Sequence, residues 1–167
     1  MSKTAYRLAG FAFVSGLAGL ATMPVNAQLL THKDLSVAMA TTMAMAAVDA
    51  CKAQGYNVSV HVLGRNGEVL VAMRGDNTGP HTYENSMKKA VTARAQGRPS
   101  GDFANAVKGN PGAGGLRLAN MVPAQGALPI KVGNDTIGAI GVSGAPGGDK
   151  DEACAKAGID KVADELK

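Results

Sequence analysis

The chain has 167 residues with 17 basic and 13 acidic side chains, a formal net charge of +4, no Trp, three Tyr and three Phe. So even a charge balance with so little stacking area excludes a nucleic-acid or anionic-membrane surface, since both need clustered phosphate-neutralising cations. The two cysteines, Cys51 and Cys154, match no zinc or CxxC spacing.

"MSKTAYRLAG" supplies Lys3 and Arg7, "FAFVSGLAGLA" is an apolar run of about a dozen residues, and "MPVNA" ends in the small residues Val25 and Ala27. This three-part pattern predicts a secretory signal peptide over residues 1–27, cut after Ala27; the apolar run is too short to span a bilayer alone. An uncleaved anchor is the alternative. Cleavage leaves one domain of 140 residues, 28–167, and removes two cations, so 15 basic side chains face 13 acidic ones. No membrane span is expected after processing. The location is then periplasmic or secreted, where a cysteine pair persists as a disulfide.

"THKDLSVAMATTMAMAAVDACKAQG" predicts one long helix, with Thr31 as N-cap, Asp34 three residues on, and Gly55 as the stop. Leu35, Met39, Met43, Ala47 and Cys51 recur every four residues, and Ala46 and Ala50 widen the buried stripe. Val58, Val60 and Val62 then alternate with Ser59, His61 and Leu63, "GRNG" turns, and "EVLVAMR" returns, which makes a hairpin. The returning strand is apolar on both faces, so helices or another subunit should cover both sides of the sheet. His61, mid-strand, reads as a structural histidine.

"GPHTYENSMKKAVTAR" opens a helix with a narrow apolar face of Met87, Ala90 and Val91. "SGDFANAV" follows as a short helix with Ser100 as N-cap, and then the Gly- and Pro-rich "KGNPGAGGLRLANMVPAQGALP", too long for an ordinary connection. A second hairpin around "GND" and the closing helix "GGDKDEACAKAGIDKVADELK" complete an α+β order with an antiparallel sheet of about five strands flanked by helices. Gly138 and Gly141 mark close approaches to the last strand. If the first and last helices lie antiparallel on one sheet face, Cys51 meets Cys154; a disulfide and two buried thiols both fit the residues.

"GNPGAGG" joins no strand to a helix and lacks the Lys-Ser/Thr of a phosphate loop. "SGAPGGDKDE" exposes amides, but Asp149, Asp151 and Glu152 already occupy the helix's first turn, so it reads as a capped helix start. No Ser-His-Asp, Cys-His or paired-carboxylate arrangement is legible. His81, after Pro80 at a helix start, is either a ligand or catalyst or a solvated turn residue.

The run "GYNVSVHVLGRNGEVLVAMRGDNTGPHTYENSMKKAVTA", followed by "GALPI" and "TIGAIGVSGAPGGDKDEACAKAGI", closely resembles the GlcG/HbpS family of small heme-binding proteins, found also as the C-terminal domain of PduO-type proteins. The resemblance covers nearly all of residues 30–167. It implies a profilin-like α/β sandwich, a homo-oligomer, and heme binding near the subunit surface, in a carrier, a store or a sensor beside a membrane kinase. Many relatives carry Asp where this chain has Gly64, so any role of that carboxylate is absent here. On this reading His81 is the candidate axial ligand of heme iron, with Tyr83 close by as a second ligand or stacking group. Arg74, Lys88, Lys89 and Arg94 are the candidate propionate partners. Three mature aromatics cannot build a deep porphyrin pocket, so a shallow site lined by aliphatics and Met is expected. Two alternatives stand beside it: a small-molecule or partner-binding module without heme, and an enzyme acting on a small hydroxy acid.

Overall fold

The computed structural model describes residues 28–110, 112 and 118–167; the expected signal peptide and most of the Gly-rich segment 111–117 lie outside the described residues. Both hairpins form: β1 (Ser59–Leu63) with β2 (Val69–Arg74), and β3 (Ala127–Val132) with β4 (Asp135–Ser143). They join through β1 and β4 into one antiparallel sheet of order β2-β1-β4-β3. The described residues thus form four strands rather than about five, and β3 is left as an edge.

One face of the sheet is apolar. Val60, Val62, Ile140 and Val142 meet α1 (Val37–Lys52) and α4 (Gly148–Asp160), and the main core forms there. On α1 the buried residues are Ala40, Met43, Ala44, Ala47 and Cys51, one stripe at helical spacing, widened by Ala40 and Ala44 and not by Ala46 and Ala50, which are only half-buried. The helix starts later than Thr31 because the cap is Ser36, whose Oγ accepts the Met39 N–H at 3.1 Å. Asp34 is not a capping acid; it binds Arg65 at 2.9 Å, and Arg65 also reaches Asp135. The helix ends at Lys52, with Gly55 (φ +79°) closing the turn beyond it.

α4 lies close on α1. A Cβ at Gly158 would stand 2.6 Å from the Met43 carbonyl oxygen, so only glycine permits this approach. The approach brings Cys51 and Cys154 to a Cα separation of 5.6 Å, and they form a disulfide closing 103 residues.

The other face is small and polar, and α2 (His81–Gln96) packs across β1, β3 and β4 on it. The inward stripe of α2 is Thr82, Ser86, Lys89, Ala90 and Ala93, all buried, while Met87 and Val91, expected as the apolar face, are half-buried. Gly141 sets the spacing, since a Cβ there would meet the Ser86 carbonyl and lie 2.7 Å from the Ala90 nitrogen. Gly138 is likewise pressed against the Leu63 carbonyl. α3 (Ser100–Val107) starts one residue earlier than expected, because Ser100 is its first residue; its buried Oγ accepts the Ala127 N–H at 3.0 Å instead of capping.

Candidate functional site

The segment Gly75–Gly79 turns the chain from β2 into α2, and Thr82 anchors it. Thr82 Oγ1 donates to the Gly79 carbonyl at 2.8 Å and accepts the Ser59 hydroxyl, also at 2.8 Å. His81, the first residue of α2, is exposed, with its ring folded over Gly79. A Cβ on Gly79 would come within 2.9 Å of His81 Cε1, so the bare glycine leaves the ring this place. No described residue hydrogen-bonds the imidazole.

Beside His81 lies a cavity of about 350 Å³ between α2 and the loop entering α4, lined mainly by polar groups including Thr82, Asn85, Lys89 and Ser143. Asn85 donates to Ser143 Oγ at 2.9 Å. At its floor Lys89 Nζ sits 2.7 Å from Asp151 Oδ2 and donates to the Val142 carbonyl at 3.1 Å. Both side chains are almost fully buried, 5% and 4% exposed. Asp151 also accepts the Ala145 N–H at 2.9 Å. Burial pushes the Asp151 carboxyl above its ordinary pKa, against the opposing pull of Lys89 and the Ala145 and Gly144 amides.

The structure divides the six candidate ligand and propionate residues. Tyr83 is two positions after His81, so it projects from the opposite flank of α2. There its ring meets His61 edge-on, centroids 4.5 Å apart, and it stays 42% exposed. His81 and Tyr83 therefore do not face a common ligand. Lys89, expected at a propionate, is committed to Asp151 in the interior. Arg94 lies thirteen residues on, about 20 Å along the axis at 1.5 Å per residue. It lines a separate cavity of about 320 Å³ with Arg65, Val91 and Asn120, where its Nε has no partner among the described residues. Arg74 turns toward Thr78, donating from Nε to Oγ1 and from Nη2 to the carbonyl, both at 3.1 Å. Lys88 alone shares the His81 flank, two turns on; it pairs with Glu84 at 2.7 Å and holds that carboxyl below its ordinary range.

His61 is a buried structural residue, as the alternation in β1 implied. Its Nδ1 lies 2.8 Å from Ser86 Oγ, whose one proton goes to the Tyr83 carbonyl at 2.9 Å, so His61 is the donor from Nδ1. Burial lowers its pKa from 6.5 to about 4. The sequence reading missed this interlayer of Ser59, Thr82, Ser86 and Ser143. Its signal was the spacing of small residues at 82, 86, 90 and 93, one helical stripe matching the small residues of β1 and β4. At the strand end, the Glu68 carboxylate fills the space over Gly64 and accepts the Asn66 N–H at 2.8 Å, so a side chain at 64 requires that carboxylate to move aside.

The model of the family described as "Haem degrading protein HbpS-like" matches residues 35–160. The chain belongs to the HbpS-like family. A solved double mutant of HbpS from Streptomyces reticuli is 36% identical to this HbpS-like chain, with a TM-score of 0.74, covering 84% of it and 97% of that protein. Klebsiella pneumoniae protein ORFY shares the fold at 24% identity and a TM-score of 0.74, over 85% of this chain and 98% of its own. So does a PduOC:heme complex, at 23% identity and a TM-score of 0.70, over 76% and 94%. None of the curated proteins matches the chain.

The donor set decides what form of heme the HbpS-like chain fits. The cavity beside His81 is too small and too polar to enclose a porphyrin, whereas the imidazole itself is exposed and has no hydrogen-bond partner among the described residues. Among the described residues no three His, Cys, Asp or Glu side chains converge on one point. A bare ion would find too few ligands, while a metal already held by four porphyrin nitrogens needs only one or two from the protein. At the surface, exposed His81 is one described donor that can serve such a group. Among the described residues no helix is long and apolar enough to cross a membrane.

Proposed function

We propose that this HbpS-like protein binds heme at its surface, with His81 as the iron donor and Lys88 as the propionate partner. The observation that carries it is His81 itself: an exposed imidazole without a hydrogen-bond partner among the described residues, seated on a glycine at a helix start. The family's description as heme-degrading supports heme as the ligand. Heme bound in this way suits a carrier, a store or the extracytoplasmic part of a sensor, exported by the leader at residues 1–27. A second copy completes the picture: on the α2 side Val69 (48% exposed) and Ala72 of β2 are left uncovered, the kind of apolar surface that an oligomer buries.

Titrating the purified mature protein with micromolar heme should produce a shifted Soret band, with His81→Ala weakening affinity about tenfold or more. Gly79→Ala should weaken it by a smaller factor, because the new methyl displaces the ring. A full Soret shift in His81→Ala would remove His81 as the ligand. The polarity of the cavity beside His81 favours a second reading, a small polar molecule such as a hydroxy acid without heme. No Soret shift, together with thermal stabilisation by such acids, would select it.

A further inference from the structure

Among the described residues the sheet ends in two edges, β2 and β3, and they are built differently. Gly126 accepts the Val142 N–H at 2.9 Å, so Gly126 faces β4 and, by the alternation of an antiparallel ladder, Ala127 and Pro129 face outward. Both outward positions are closed. The Ala127 N–H is taken by Ser100 Oγ at 3.0 Å, and Pro129 has no N–H to offer. Such closure keeps a strand edge from recruiting another strand.

β2 lacks it. Gly75 donates to the Val58 carbonyl at 3.0 Å, so Gly75 and Met73 face β1 while Ala72 and Arg74 point outward. Among the described residues nothing takes their backbone N–H or C=O groups. The irregularity between Val62 and Leu63 confines regular pairing to Val71–Arg74, where Arg74 is the one charge and its guanidinium turns back to Thr78.

The side chains beside this edge are apolar and exposed. α2 lies over β1, β3 and β4, which leaves Val69 (48% exposed) and Ala72 uncovered on its side of the sheet. Tyr83, 42% exposed, packs on His61, which stands opposite Ala72 in the register. The open edge calls for a strand, and the groups beside it call for an apolar cover.

We propose that β2 pairs antiparallel with β2 of a second copy about a two-fold axis at Ala72, so that two sheets become one. The proposal rests on the reading above that a second copy covers Val69 and Ala72, and names the contact. A two-fold axis normal to the sheet lets one strand edge satisfy itself: Ala72 exchanges both N–H···O bonds with Ala72 of the other copy, and Val71 stands opposite Met73. Both α2 layers then lie on the same side, and the exposed strips of Val69, Ala72 and Tyr83 adjoin. Each Arg74 is two residues from the axis, so the two cations stand about 13 Å apart along the strands, beyond the screening length at physiological salt.

Sedimentation velocity of the heme-free mature chain over a range of concentrations tests it. Wild type should form a dimer or a multiple of one. Ala72→Pro removes only an outward N–H, as Pro129 does on β3, and should raise the dissociation constant about tenfold or more. Ala72→Lys and Ala72→Glu, at an exposed position, each set like charges face to face across the axis and should dissociate likewise, while an equimolar mixture of the two should recover the wild-type association. That recovery, with melting curves of each variant, shows that they are folded. A monomeric wild type overturns the second copy and this contact together. Association unchanged in Ala72→Pro and in both charged variants, or a mixture that stays dissociated, overturns the contact alone. The Soret titration reads the His81 site separately.

Discussion

His61 is held neutral by its surroundings: it is 1% exposed, its Nδ1 proton is on Ser86, and its pKa is lowered to about 4. In the unfolded chain it protonates near 6.5. The folded state therefore gains from His61 above that value and loses the gain as pH falls toward 4, by up to about 3 kcal/mol. Urea denaturation between pH 7 and pH 4 should show this decline, and His61→Asn, which cannot protonate, should flatten it. The alternation of β1 made a structural histidine legible. Its partner was not, because Ser86 is 25 residues away and faces it only once α2 lies on the sheet. The same holds for Glu68 over Gly64, a contact made by the hairpin turn.

At the scale of elements, α2 was legible as a helix but its inner face was misassigned. Met87 and Val91 are the more hydrophobic residues, yet the sheet beneath is so close at Gly141 that only small side chains fit between. Proximity, rather than hydrophobicity, chose the face. Lys89 followed the same error, reading as a surface cation when it is an internal tie from α2 to Asp151 of α4. Lys89→Met should cost about 3 to 5 kcal/mol at neutral pH, since it leaves a buried carboxylate without its counter-charge. Burial raises the Asp151 pKa, so in this variant stability should rise as pH falls and the carboxyl becomes neutral. Thermal melts of the single variant and of Lys89→Met with Asp151→Asn check this, and the double variant should recover part of the loss.

The whole molecule is a sheet between two unlike layers: an apolar core under α1 and α4, and a close polar layer under α2. The disulfide sits in the first layer and ties the chain's first described helix to its last. Closing a loop of 103 residues contributes up to about 4 to 5 kcal/mol in the chain-entropy description. Replacing both cysteines by alanine should lower the melting temperature and the denaturant midpoint markedly and steepen the denaturant slope, because the unfolded chain is no longer cross-linked and exposes more surface, and a thiol titration of denatured, unreduced wild type should find no reactive cysteine.

Both hairpins, the α+β order, the core positions Met43, Ala47 and Cys51 of α1 and the family were legible in the sequence, because periodicity, turn residues and motifs are local properties of the chain. The disulfide was legible only as one of two outcomes, and the packing of α4 on α1 at Gly158 decided it. The separation of His81 from Tyr83, Arg94 and Lys89 came only with the tertiary structure. Residues adjacent in sequence point to different flanks of a helix, and residues far apart share a surface once the layers close. Neither relation has a local signature.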